Sequence, residues 1–205
     1  DQANTKIQLL YGLLPNLQVG ISRDSYEKTY SGTAKYKLFK QSDRVPVNVS
    51  LYVSADVNSQ FKKSVYPGLK TSDRFSYTAQ ILSSRSFSEK LSLEVAPIFV
   101  RHNLQDLNFT KTLTHNQLLF GMGGRYKLSK RLSLNMDYAY NFSKNKNSLY
   151  KNPLTIGVDI ETGGHVFQLL FTNSRASNDS SFLTETTGDW SKGEISFGFN
   201  IVRVF

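Results

Sequence analysis

Cysteine is absent from the 205 residues, which excludes disulfide bridges and thiolate metal sites. Histidine occurs only at His102, His115 and His165, with no H-x-x-x-H spacing, whereas a metal site needs several converging ligands. No apolar run approaches the roughly eighteen residues of a transmembrane helix. Gly-rich phosphate loops are missing too, since Gly163 and Gly164 read as a turn. No leader is visible, because the chain opens at once with DQANTKIQLLYG. That fits a processed chain or one whose front is missing. With no linker between independently patterned regions, residues 1–205 read as a single domain.

Charge and hydropathy narrow the class less. Lys and Arg number 25 against 16 acids, a formal charge of +9. The lysines are spread through turns, loops and strands without one dense patch, so nucleic acid is not the expected partner. A positive barrel facing anionic lipid headgroups accounts for the charge. The hydrophobic share of 39% and mean hydropathy of -0.36 suit a soluble protein. They suit equally a barrel in which alternate residues face lipid.

What the chain has in abundance is period-two alternation over stretches of about ten residues. Leu132, Leu134, Met136, Tyr138, Tyr140 and Phe142 alternate with Ser133, Asn135, Asp137, Ala139 and Asn141. A helix would scatter both sets around its axis. The runs 45–54, 118–128, 154–161 and 195–205 repeat the pattern, and weaker ones lie near 4–12, 16–24, 28–40, 72–83, 89–101 and 164–173. The expectation is all-β: a transmembrane antiparallel up-and-down β-barrel, about 11 strands in this chain and about 12 when complete.

The polar face repeatedly carries charge, at Lys35, Lys37, Glu94, Arg125, Lys127, Asp137, Asp159, Glu161 and Glu194. A membrane barrel places such residues in its lumen. Leu132, Leu134, Met136, Tyr138, Tyr140, Phe197, Phe199 and Ile201 are then expected to face lipid. Tyr11, Tyr36, Tyr126 and Phe205 fall near one set of strand ends; Phe75, Tyr140, Phe142 and Phe171 fall near the other. Two such girdles match two membrane interfaces. The links alternate between short ones (13–15, 41–44, 85–89, 129–130, 161–164) and long polar ones (23–28, 56–72, 102–115, 143–151, 173–191), as in outer-membrane barrels with short periplasmic turns.

Catalysis leaves no signature. Asp159 and Glu161 share a face at strand spacing, but a lumen salt bridge with Lys or Arg suits them better than paired-acid chemistry. The lumen glycines, Gly121 and Gly123 among them, read as room for Phe39 and Tyr52. Nothing resembles a plug domain or a long constriction loop. The chain stops at Phe205 after an alternating apolar run, like the terminal assembly signal of outer-membrane barrels. GGRYKLSKRLSLNMDYAY, IETGGHVFQLLFTNS, TETTGDWSKGEISFGFNIVRVF and YGLLPNLQVGISR resemble an uncharacterised family of β-barrel proteins from Bacteroidota, described as outer-membrane barrels of unknown function. The resemblance covers almost the whole chain and implies fold and compartment, with no catalytic residues to carry over. In that family a further strand-like segment usually precedes the region matched by residues 1–12.

The functional expectation is a non-enzymatic integral protein of the cell outer membrane, a structural or accessory subunit of an envelope assembly. The alternative is a narrow, porin-like passive channel for small solutes. Expected partners are outer-membrane lipid, the barrel-assembly machinery during insertion and other envelope proteins, with no cofactor. Parity adds one expectation. An odd strand count makes the first and last strands parallel, so one further strand before Asp1, or a gap beside residues 4–12, is required.

Overall fold

The computed structural model describes residues 3–64, 67–104, 115–145 and 148–203. The terminal Phe205 lies outside them. Eleven strands follow one another: β1 (Lys6–Leu14), β2 (Leu17–Asp24), β3 (Thr29–Phe39), β4 (Asn48–Asn58), β5 (Phe75–Ser86), β6 (Leu91–His102), β7 (Asn116–Lys127), β8 (Leu132–Asn141), β9 (Leu154–Thr162), β10 (His165–Thr172) and β11 (Ser196–Arg203). They form one sheet in strict sequence order, antiparallel at every step between described neighbours. This is the expected up-and-down barrel wall.

Local chemistry sets the turns. Phe87-Ser88-Glu89-Lys90-Leu91 and Leu128-Ser129-Lys130-Arg131-Leu132 share a pattern and fold alike. Ser88 Oγ accepts from the N–H groups of Lys90 and Leu91 at 3.2 and 3.0 Å. Ser129 Oγ accepts from Arg131 and Leu132 at 3.3 and 3.1 Å. A short hydroxyl side chain thus substitutes for a backbone acceptor at both reversals. Between β9 and β10, Gly163 takes φ +51°, a region closed to most residues by their Cβ. The β3–β4 link is longer than its sequence suggests, and β4 begins at Asn48 rather than Val45. Pro46 has no N–H for a ladder.

Two faces result. The outer one carries Ile21 at 66% exposure, Leu118 at 58%, Met136 at 53% and Phe197 at 63%. The inner one carries Ala96, Ile98, Val100, Leu119 and Ala139, all buried. Phe39 departs from its expected inner place. A register shift between Lys37 and Phe39 sets Phe39 opposite Val49, so the bulge turns it to the face of Leu51 and Val53.

No described residue of β1 pairs with β11, which leaves a seam beside β1 among the described residues. Hydrogen bonds bridge it at the long-loop end, where Asn4 Nδ2 donates to Arg175 O at 3.0 Å and Lys6 Nζ to Ser177 O at 2.7 Å.

Candidate functional site

The barrel interior is built by its last long loop, residues 173–195, which folds inward. That corrects the expectation of a barrel without a constriction loop and without helix. A six-residue helix, α1 (Asp179–Thr184), lies inside the wall, packed on β4, β5, β6 and β8. Its Leu183 completes the buried cluster of Ala96, Ile98, Val100, Leu119 and Ala139. So short a helix is not stable alone. Its cap and its docking hold it: Asn178 Oδ1 accepts from Ser181 N at 3.0 Å, as an N-cap side chain does.

The loop traces a circuit of the inner wall. Leaving β10, it meets β2, where Asp24 Oδ2 accepts from Ser177 N at 3.1 Å. At β4, Asp56 Oδ2 accepts from both the N–H and the hydroxyl of Ser180, at 3.2 and 2.6 Å. The Tyr52 hydroxyl donates to Asp179. At β6, His102 Nε2 lies 2.9 Å from Thr184 Oγ1. Beyond β8, Lys151 N donates to Thr186 O at 2.6 Å. The chain returns to β9 and β10, where Trp190 Nε1 donates to Leu154 O at 3.0 Å and Gly188 N to Asn173 O at 3.2 Å. Gly188 is required there, because a Cβ would stand 2.5 Å from Glu194 O and 2.6 Å from Asn173 O.

Several carboxyls gather on and around this loop. Burial, reinforced by the Glu27 carboxylate, pushes Glu185 up to about 7. Burial likewise raises Asp179, against the Tyr52 hydrogen bond and the Lys6 ammonium. Glu27 is raised by burial, partly offset by the amide of Asn58. Desolvation outweighs pairing in each case.

Ser76, His102 and Glu185 superficially resemble a hydrolytic triad. Thr184 Oγ1 donates to Ser180 O at 2.6 Å, so it accepts from His102 Nε2–H, and Nδ1 is left to accept from Ser76, 2.9 Å away. The Glu185 carboxylate lies 3.9 Å from that same Nδ1. A relay needs acid and nucleophile on opposite ring nitrogens. With His102 buried at 5% exposure, the chain of bonds clamps α1 to β6.

Under α1 the lumen holds two adjoining cavities. One, of about 160 Å³, is lined by Glu94, Asp137, Gln80 and Leu183 among others. The second, of about 280 Å³, is lined by Lys35, Gln18, Tyr52 and Gln80. Gln80 and Asp179 belong to both.

The residues singled out from sequence fall as follows. Arg125 and Glu161 form an ion pair, and Asp159 accepts from Gln168 Nε2 at 2.9 Å; the two carboxylates are engaged separately. Lys37 stands opposite the buried Ser50, and Lys127 opposite the buried Ser133, which puts both on the inner face near the short turns. Glu194 is a correction. It precedes β11 in the rim turn, exposed, accepting from Asp189 N at 3.0 Å, because Gly193 at φ +71° ends a 3-10 turn there. Leu134, Met136, Tyr140, Phe197, Phe199 and Ile201 are exposed, while Leu132 and Tyr138 are half-buried. The glycines Gly121 and Gly123 line the smaller cavity under α1, not a recess for Phe39.

The chain belongs to the family described as membrane bound beta barrel domain (DUF5777), whose model matches residues 1–205. Among solved structures it is similar to a NanC porin in a rhombohedral crystal form, at TM-score 0.69 and 8% identity, covering 98% of this chain and 93% of that one. At so low an identity the likeness speaks for the fold. The search of curated proteins finds no match.

Proposed function

We propose that this membrane β-barrel is a narrow passive channel of the outer membrane for small polar solutes, constricted by its own last long loop. The observation that carries the reading is the pair of cavities beneath α1, into whose mixed linings Lys35, Glu94, Asp137 and several amides are set. An accessory barrel that serves only as scaffold has no use for two adjoining chambers with charged side chains in its lumen. The porin-like fold supports the same direction, and so does the outer girdle of exposed apolar side chains, which we assign to lipid contact.

The lumen of a barrel this size lies between a filled interior and an open pore. Here the wall alone does not fill it; the loop does. Access is therefore governed by how firmly the loop is docked. In planar bilayers the purified protein should give small, discrete conductance steps. Replacing residues 176–187 by a short Gly-Ser link should enlarge them several-fold. Silence from both proteins, with barrels verified by heat-modifiable migration on gels, would overturn the channel and favour the scaffold.

A further inference from the structure

Charge is distributed unevenly around the space below α1. Lys35 on β3 lines the larger cavity, together with Gln8 and Gln18. Glu94 on β6 and Asp137 on β8 line the smaller one. Between them the wall carries Tyr52 and Gln80 in one row with Lys35. Among the described residues Lys35 forms no ion pair with Glu94 or Asp137. By contrast Arg125 and Glu161, nearer the short turns, are already joined. The lumen thus keeps one cationic and one anionic pole apart, with amides between them and water-accessible space at both. Like charges gathered on one side and an opposite charge across a gap create a field that a dipolar solute satisfies and a monopolar one does not.

We infer that the lumen selects small zwitterions, with the solute's carboxylate at Lys35 and its ammonium between Glu94 and Asp137. The inference deepens the channel reading and rests on it. Size agrees with it. A cavity of about 150 Å³ accommodates a benzene-sized body, and the smaller chamber measures about 160 Å³. An ammonium group with a short aliphatic stem fits there beside Ala96, Ile98 and Leu183. The roof contributes Asp179, which lines both chambers and already receives the Tyr52 hydroxyl. Solutes with a net negative charge meet Glu94 and Asp137 unpaired. Neutral polyols leave both poles unsatisfied.

Liposome swelling with the reconstituted full chain tests this, using β-alanine, propionate, propylamine and glycerol as size-matched probes. β-Alanine should enter about tenfold faster than glycerol, the rate equivalent of about 1.4 kcal/mol. Lys35→Gln should remove that advantage and leave propylamine the fastest probe. The double variant Glu94→Gln with Asp137→Asn should favour propionate instead. All these side chains line cavities, so the variants should keep heat-modifiable folding. If β-alanine and glycerol enter alike, or if Lys35→Gln preserves the preference, the channel stands and the zwitterion assignment falls. If no probe enters through the folded protein, both fall together.

Discussion

Leu183→Ala isolates what holds the inward loop in place. The side chain is 6% exposed and packs on Ala96, Ile98, Val100, Leu119 and Ala139. Those partners are small or fixed in strands, so the wall collapses little into the vacated space. A buried leucine truncated under such conditions costs about 3 kcal/mol. Being only six residues long, α1 has no stability of its own to lose. The cost therefore falls on docking, and the ratio of docked to released loop should drop about a hundredfold, since 1.4 kcal/mol is a factor of ten.

Amide exchange in detergent micelles reads that change directly. Opening free energies at residues 181–185 should fall by about 3 kcal/mol, while those of β6 and β7 stay unchanged. Single-channel records should show correspondingly more frequent large openings. Two outcomes would refute the reasoning. Equal loss of protection throughout β6 and β7 would mean Leu183 supports the wall rather than the loop. Unchanged exchange in α1 would mean the hydrogen bonds to Asp24, Asp56 and His102 hold the loop without the apolar contact.

Other positions test other links. Met136→Arg, on the outer face of β8, should cost about 2–4 kcal/mol if that face meets mid-bilayer; folding into vesicles from denaturant measures it, and no measurable cost would take β8 out of hydrocarbon. Gly188→Ala forces a Cβ to 2.5 Å from Glu194 O, so the loop should lose protease resistance at 185–195 while barrel migration on gels persists. For pH, Glu185 sits near 7 in the docked loop and near 4.3 in a released one. The docked state then holds a proton that the released state lacks, so docking is tightest at acid pH and weakens as pH rises to about 7. Open probability should therefore be higher at pH 8 than at pH 5. Glu185→Gln should flatten that dependence, distinguishing it from titration of His102, 3.9 Å away.

Strand number and order were legible because each strand repeats one two-residue period and each reversal has its own turn chemistry. The expected strand starting at Leu132 is β8 almost residue for residue. Departures came where that period breaks. The bulge before Phe39 inverts one side chain without altering composition. The turn at Gly193 cuts Glu194 from its strand. The inward loop was missed for a different reason. A helix of six residues is too short to show a helical period, and its docking surface is written on other strands, where Gly121 and Ala139 read simply as small residues of the polar face. What marked it was Asn178 ahead of Ser181, a capping pair, followed by Phe182 and Leu183 in an otherwise polar loop. Nor does sequence distance hint at the pairing of Ser180 with Asp56, 124 residues apart.

The loop and the seam form one mechanical unit. Residues 175–177 accept from Asn4 and Lys6 and donate to Asp24, so the segment that begins the inward loop also ties β1 to the end of β10. Below that staple, β1 from Gln8 to Leu14 has β2 on one side and no described strand on the other, and β11 has β10 alone. Each backbone group left unpaired in hydrocarbon costs several kcal/mol, far more than a few rim hydrogen bonds return. Both edges start at the long-loop end, so a strand satisfying them must run the opposite way, from the short turns upward, antiparallel to each. Such a strand would deliver its own end beside Asn4 and Lys6, where the loop is anchored. A closed wall would stiffen the residues that anchor the inward loop, and releasing the loop would remove the hydrogen bonds that Arg175 and Ser177 accept across the seam.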